Sequence, residues 1–193
     1  MPVKLGDREY RSFSVLGLGA TEKRIETDFY AEGYATTFDV PYALWEDYKE
    51  VIDRHALDEA DVSDVIMQYD HAGRVLARLR NQTLMLVPDD HGLLIAADLA
   101  KGESARQLFE EITNGLIDRM SWSFIVDEDS YDRETKTRTI LKVKKVFDVS
   151  AVSFPANDAT EISARSWVDG AIDSTRRESL ARQAQVLRLK TML

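Results

Sequence analysis

The chain has 193 residues, of which 44% are hydrophobic, and its formal net charge is −9. That length suits one domain of ordinary size, and the acidic balance argues against nucleic acid as a main ligand, because phosphate binding needs clustered Lys and Arg. The sequence contains no cysteine, which excludes disulfides, thiolate zinc sites and a cysteine nucleophile.

The N-terminal residues lack the long apolar run of a secretory signal peptide. No segment approaches the roughly 18 consecutive apolar residues that a membrane-spanning helix needs. The absence of cysteine is compatible with a reducing compartment. We therefore expect a soluble intracellular protein that has neither a membrane nor a nucleic acid among its partners.

The first third of the chain is predicted to form strands and one helix. Residues 10–40 alternate well enough for two strands joined by a polar turn. Residues 42–57, YALWEDYKEVIDRHAL, place four large apolar side chains at helical spacing and so favour a helix. Residues 61–71 indicate a strand that ends near His71.

The middle of the chain is predicted to form short strands followed by one amphipathic helix. Residues 74–100 indicate successive strands with turns at 81–82 and 89–92, where Asn, Asp and Gly tolerate turn geometry. The sequence ESARQLFEEITNGL is typical of a helix, with Ser104 as its N-cap and Gly115 as its end.

Two serines stand at alternate positions in the apolar stretch 115–129, GLIDRMSWSFIVDED. Successive side chains of a strand point to opposite faces, so Ser121 and Ser123 share one face, and the large apolar side chains between and beside them share the other. Two hydroxyls on one face indicate either a solvated surface or a nucleophile held on a stiff element.

The last third of the chain is predicted to contain a hairpin and a basic tail. Residues 127–139 read as a polar hairpin tip, and residues 139–157 as one long strand, or two with a bend, ended by Pro155. Residues 165–193 carry six basic and three acidic side chains, which leaves a net charge of −12 on residues 1–164. We therefore expect a domain followed by a helical basic tail, which is either a docking segment or an ordinary solvated helix.

Many short strands with one or two helices between them predict an α+β domain that is mostly β. We expect a barrel or sandwich core of short strands with flanking helices. The sequence shows no internal repeat and no low-complexity tract.

Three histidines are the candidate bases: His55, His71 and His91. Histidine is the usual base for activating a serine, because its pKa lies near neutrality. His71 ends an apolar segment, which suits a side chain entering a site from the rim of a sheet, whereas the other two are expected at a helix end and in an exposed turn. From spacing alone, structural roles are favoured for all three. The adjacent Asp89, Asp90 and His91 do not favour a metal site, since neighbouring residues rarely point at one ion.

Asp148 lies on a predicted strand face that it shares with Val146, Ser150 and Val152. An acid among apolar side chains costs free energy unless it is paired or hydrogen-bonded. It is either an acid on an open sheet face, balanced by the two lysines before it, or an acid that holds a histidine tautomer and stabilises its imidazolium.

Five segments carry a family resemblance: EGYATTFDV, YKEVIDRHAL, the region 64–99 around His71, GLIDRMSWSF and FDVSAVSFPANDAT. In this order, over about residues 11–163, they resemble the prohead (capsid maturation) serine proteases of tailed bacteriophages, a family related in fold to the herpesvirus assembly protease. The resemblance implies that His71 is the catalytic histidine, that Ser121, directly after a methionine, is the nucleophile, and that Asp148 is the third member.

Two positions depart from the family pattern. Ser123 stands where the family usually has glycine or alanine, and this leaves two hydroxyls as candidates for the attack. His55 stands where the family usually has glycine. Oxyanion donors are expected among backbone N–H groups near residues 155–158.

The resemblance also implies the substrates and partners. These are the phage scaffold protein, or the scaffold-like segment of the major capsid protein, inside an immature capsid in the bacterial host cytoplasm. Self-processing in the tail, a homodimer and the absence of any cofactor are further expectations. The alternatives are a non-catalytic capsid-assembly factor that binds scaffold through its tail, and an unrelated small β binding module whose serines are merely solvated.

Overall fold

The computed structural model describes residues 6–13, 16–17, 23–45 and 47–152. Three predictions lie outside these residues: the helical basic tail, the strand end at Pro155 and the oxyanion donors near 155–158. No helix in the described part of the chain is long and apolar enough to cross a membrane.

Within the described residues the chain forms strands, one α-helix and one turn of 3-10 helix at Leu79–Asn81. In chain order the strands and the helix are β1 (Arg8–Phe13), β2 (Leu16–Gly17), β3 (Tyr30–Thr37), β4 (Tyr42–Trp45), β5 (Tyr48–Ile52), β6 (Ile66–Tyr69), β7 (Ala72–Arg78), β8 (Leu84–Pro88), β9 (Gly92–Asp98), α1 (Glu103–Thr113), β10 (Arg119–Asp132) and β11 (Thr137–Val152).

Two open sheets contain these strands. A four-stranded sheet has the order β2-β3-β9-β8, and a seven-stranded sheet has the order β1-β10-β11-β5-β4 with the β6–β7 hairpin attached to β11. The long strand β11 pairs in parallel with β5 through residues 137–140 and with β6 through residues 148–151. Because β11 changes partner along its length, the sheet forks instead of closing. The prediction of a mostly β domain is confirmed. Of the predicted barrel or sandwich core, the barrel is wrong, because both sheets are open.

The core draws apolar side chains from both sheets and from α1. Ile95 of β9, Leu108 of α1, and Trp122 and Val149 of the long hairpin all belong to one buried cluster. Both faces of the β10–β11 hairpin are buried at the end remote from its turn, since Ser121 on the opposite face is as inaccessible as Trp122. The hairpin is therefore a stiff support for whatever its polar face carries.

The helix predicted over residues 42–57 is wrong, because this segment forms β4 and β5. The two strands pair antiparallel, with Ala43 opposite Lys49. Five of the nine residues in the two strands are aromatic or β-branched, and such residues pack well in a half-buried sheet. Pairing of β5 with β11 buries Ile52 completely. Tertiary pairing therefore outweighs the helical spacing of the apolar side chains.

The predicted helix after β9 is present, but its first turn differs from the prediction. The N-cap is Gly102, which has extended backbone, and not Ser104. The helix buries Ala105, Leu108 and Ile112 at the spacing of one face. The chain leaves the helix through Gly115, whose φ of 69° suits glycine.

The β10–β11 hairpin is longer than expected, because most of the predicted polar tip is paired strand. Only residues 133–136 connect the two strands. The polar side chains of this region form cross-strand ion pairs, such as Lys142 with Glu128 at 3.0 Å and Arg138 with Asp129 at 2.7 Å. Cross-strand pairs of this kind stabilise a hairpin whose residues are not apolar.

An irregularity in register occurs in β11 at Phe147. Asp148 lies opposite Ser123, whereas Phe124 lies opposite Val146, so Phe147 has no partner on β10. A bulge of this kind re-aims the side chains around it. The prediction that Val146 shares a face with Asp148 is therefore wrong: Val146 faces the core with Phe124, and Asp148 faces the other side with Ser123.

Candidate active site

Strand register brings the polar side chains of three strands onto one face. Ser121 lies opposite Ser150, and Ser123 lies between Asp148 on β11 and Tyr10 on β1. Directly opposed residues of an antiparallel pair share a face. Their side chains therefore meet on the side of the sheet that faces away from Trp122.

His71 reaches this face from a two-residue turn between β6 and β7. Asp70 and His71 have φ values of 47° and 56°, and the flanking Tyr69 and Ala72 are paired. Positive φ at both central residues is the backbone of a type I′ hairpin turn, which normally favours Asn and Gly. Backbone strain of this kind is found at functional sites. The Asp70 N–H donates to the carbonyl of Ala151 at 3.0 Å, which fixes the turn beside β11.

The three residues that sequence reasoning assigned to catalysis meet in the structure. His71 Nε2 lies 2.5 Å from Ser121 Oγ, and His71 Nδ1 lies 2.6 Å from Asp148 Oδ1. A carboxylate only accepts hydrogen bonds, so Nδ1 carries the proton and donates to Asp148. Nε2 then has a free lone pair toward the serine hydroxyl. This arrangement can activate a hydroxyl as a nucleophile.

Asp148 is fully buried and receives donors on both carboxylate oxygens. Ser150 Oγ donates to Oδ1 at 2.7 Å, beside the bond from His71, and Ser123 Oγ and Arg8 Nη2 donate to Oδ2. Burial by itself raises the pKa of Asp148, but the hydrogen bonds and charge of His71 and the bonds from the two serines outweigh it, so the pKa lies below its ordinary value. The carboxylate is therefore anionic at neutral pH.

Strand β1 contributes two residues that sequence reasoning missed. The Arg8 guanidinium bonds to Ser123 Oγ through Nε at 3.1 Å and Nη2 at 2.7 Å, and lies 4.4 Å from the Phe147 ring centroid. The Tyr10 ring packs edge-on against the His71 ring, with centroids 4.7 Å apart. The alternation of REYRSF could have signalled that Arg8 and Tyr10 share a face, but not that this face meets His71.

The remaining candidates lie in other surroundings. His55 is exposed in a turn, not at a helix end, and pairs with Asp58 at 3.0 Å. His91 is exposed in its predicted turn and packs against the Tyr34 ring. Lys145 pairs with Asp61 instead of balancing Asp148. No cluster of metal-ligating side chains is found within the part of the chain that the structure describes.

The chain is similar in part to two known proteins. The prohead protease of Enterobacteria phage HK97 is 31% identical over 86 residues, which are 44% of this chain and 38% of that protein. The chain thus matches well under half the length of this curated relative. The structure of the bacteriophage T4 capsid assembly protease is similar at a TM-score of 0.46 and 10% identity, covering 76% of this chain and 98% of that one.

The sequence model of one family covers most of the chain. It is described as caudovirus prohead serine protease, and it matches residues 19–172. This region includes β3 to β11, and with them His71, Ser121 and Asp148. The chain therefore belongs to the caudovirus prohead serine protease family.

Proposed function

We propose that this chain is a serine endopeptidase that cleaves peptide bonds during phage capsid maturation. The observation that supports this most directly is the continuous line of hydrogen bonds from Ser121 Oγ through His71 to Asp148, at 2.5 and 2.6 Å. A hydroxyl, an imidazole and a buried carboxylate in this order are the groups of a serine protease triad, which is recognised by geometry and not by chain order.

The proposed reaction proceeds through an acyl-enzyme. His71 Nε2 takes the proton of Ser121 as the serine oxygen attacks the scissile carbonyl carbon, and Asp148 stabilises the imidazolium that forms. His71 then gives that proton to the leaving amine, and the peptide bond breaks. A water molecule, deprotonated by the same imidazole, attacks the ester and releases the new carboxyl end and the free serine.

Access to the nucleophile is part of this proposal. Ser121 is fully buried, and the His71 side chain is only 10% exposed. The groups that cover Ser121 must therefore move before a peptide carbonyl can reach its Oγ. Many enzymes gate their chemistry by a motion of this kind.

The proposed substrates are the phage scaffold protein or the scaffold-like segment of the major capsid protein, and the proposed place of action is the immature capsid in the host cytoplasm. Family membership supports this substrate class. Self-processing within residues 165–193 and formation of a homodimer belong to the same proposal. Residues 1–164 would then form the protease domain.

Co-expression with the scaffold and major capsid proteins tests the proposal. The wild-type chain should produce shortened substrate on a gel, with the new ends identified by mass spectrometry. His71→Ala should leave the substrate intact, because the nucleophile loses its base. His91→Ala is the matched control and should cleave like the wild type, since His91 is exposed in a turn and packs on Tyr34.

Two results would contradict the proposal. Intact substrate with the wild-type chain would favour a non-catalytic assembly factor. Equal cleavage by the wild type and His71→Ala would show that the imidazole does not take part.

A further inference from the structure

We propose that Arg8 is a positioning residue that, through Asp148 and Ser123, orients the catalytic carboxylate and moderates how strongly this carboxylate stabilises the imidazolium of His71. This inference rests on the proposed function. It concerns a residue of β1, which lies before the region matched by the family.

Arg8 acts as a clamp, by which we mean that its guanidinium holds Asp148 and Ser123 through several hydrogen bonds at once. Its Nη2 bonds to both Asp148 Oδ2 and Ser123 Oγ, and its Nε bonds to the same serine oxygen. Arginine presents its donors in a rigid planar fork, so several bonds from one guanidinium fix the orientation of the groups that accept them. The Cζ atom of the guanidinium lies over the Phe147 ring, and this contact holds the fork in place. Ser123 passes this constraint on, since it donates to Asp148 in turn.

The charge of Arg8 gives the clamp a second effect. An anionic Asp148 beside His71 stabilises the imidazolium that forms when the histidine accepts a proton. A cation on the far oxygen of the same carboxylate weakens that effect. Arg8 is 37% exposed, so solvent screens its charge only in part. Arg8 therefore reduces the stabilisation that Asp148 gives to a positive charge on His71.

The groups that face the His71 ring come from three strands and from its own turn. The ring contacts Asp148 on β11, Ser121 on β10 and Tyr10 on β1. Asp70 precedes it in its own turn. Asp148 and Asp70 are the acids among these neighbours, and Arg8 is the cation bonded to the carboxylate that faces the imidazole.

The test is the pH profile of Ser121 reactivity in the full chain. The rate of labelling by a fluorophosphonate probe is measured from pH 5 to pH 9 for the wild type, Arg8→Gln, Arg8→Lys and the control Arg54→Gln, whose guanidinium pairs with Asp39 on the surface. Mass spectrometry confirms that the probe is on Ser121. The acid limb is the part of the profile in which the labelling rate falls as the pH decreases. Arg8→Gln should move this limb to a pH about one unit higher, so that labelling at the lowest pH values is about tenfold slower.

Arg8→Lys should keep the acid limb near its wild-type position, because the charge remains, while the plateau rate falls because the fork is lost. The control should match the wild type throughout. A role of Arg8 in stability alone would lower the rate by the same factor at every pH. An acid limb in Arg8→Gln that coincides with the wild type overturns the inference.

If Arg8→Gln folds poorly, a second variant and a second measurement still test the role of Arg8. Phe147→Leu removes the ring beneath the guanidinium and should shift the acid limb in the same direction by a smaller amount. An NMR titration of the His71 ring should show the same ordering of midpoints without any catalysis. If the wild type is not labelled on Ser121, the proposed function fails; if the labelling is normal but the midpoints are equal, only the role of Arg8 fails.

Discussion

The hydroxyls of Ser121 and Ser123 lie on the same face of β10 but bond to different members of the histidine–carboxylate pair. Ser121 Oγ is 2.5 Å from His71 Nε2, whereas Ser123 Oγ donates to Asp148 and accepts from Arg8. Only the first hydroxyl is placed to give its proton to the imidazole. The geometry therefore favours Ser121 as the nucleophile and Ser123 as a support for the carboxylate.

Replacing each serine by alanine should separate these roles. Ser121→Ala should lower cleavage by about a thousandfold or more, because the attacking atom is lost. Ser123→Ala should lower it by about tenfold, because Asp148 keeps His71, Ser150 and Arg8 as donors. Cleavage of co-expressed scaffold and probe labelling of the purified chains measure both effects. Cleavage that survives Ser121→Ala but not Ser123→Ala would reverse the assignment.

The three residues predicted from the sequence meet in the structure, but the side chains that support them were not predicted. Alternation showed that Ser121 and Ser123 share a face, and the family resemblance selected His71 and Asp148. Arg8 and Tyr10 come from β1, more than a hundred residues before the strand they pair with. No local pattern encodes which strand pairs with β10, so their position became known only from the sheet order.

Asp148→Asn should lower the labelling rate of Ser121 by about 10⁴-fold at neutral pH. The amide nitrogen can donate to His71 Nδ1, which would move the imidazole proton to Nε2 and remove the lone pair that Ser121 needs. Asp61→Asn is the matched control, because Asp61 pairs with Lys145 outside the site. A rate for Asp148→Asn within tenfold of the wild type would show that this carboxylate does not set the tautomer.

A second polar cluster lies on the opposite face of β1 and is fully buried. Arg11 bonds to Glu9 at 2.6 Å and to Glu50 at 2.5 and 2.7 Å, and Arg138 bonds to the same two glutamates at 2.7 to 3.1 Å. All four side chains are at most 1% exposed. Burial raises the pKa of Glu9, but the charges and hydrogen bonds of Arg11 and Arg138 lower it below its ordinary value. Both arginines thus pair with the two glutamates, and Arg138 pairs with Asp129 as well.

Glu50→Gln should destabilise the protein by about 3–5 kcal/mol, because the buried Arg11 and Arg138 lose the carboxylate that they share with each other at this position. Urea denaturation followed by tryptophan fluorescence measures the free energy of unfolding. Asp39→Asn is the control, since Asp39 pairs with Arg54 on the surface, and surface pairs contribute little. Equal free energies of unfolding for Glu50→Gln and the wild type would mean that the remaining side chains of the cluster rearrange without loss of stability.

This cluster also shows why part of the fold could not be predicted. Glu50 belongs to a segment whose apolar spacing favoured a helix, and its burial depends on pairing with β11. Arg138 was assigned to a polar hairpin tip, since charged residues normally face solvent. Both residues are buried because their charges compensate across three strands, and compensation between distant segments leaves no trace in local periodicity.

The ion pair at the base of the β6–β7 hairpin should make stability depend on pH. Arg78 donates to Asp64 through Nε at 2.7 Å and through Nη2, and these hydrogen bonds lower the pKa of Asp64 from 3.8 to about 2.

A carboxyl whose pKa is lower in the folded state stabilises the fold fully above its unfolded pKa and loses that effect as the pH falls through its folded pKa. Asp64→Asn should therefore lower the Tm at pH 6, and its difference from the wild type should shrink from about pH 4 and vanish only below about pH 2. Thermal melts of the two chains across this range measure the effect, with Arg78→Gln expected to behave in the same way. A difference in Tm that stays constant down to pH 2 would show that the pair is not what holds this end of the His71 hairpin.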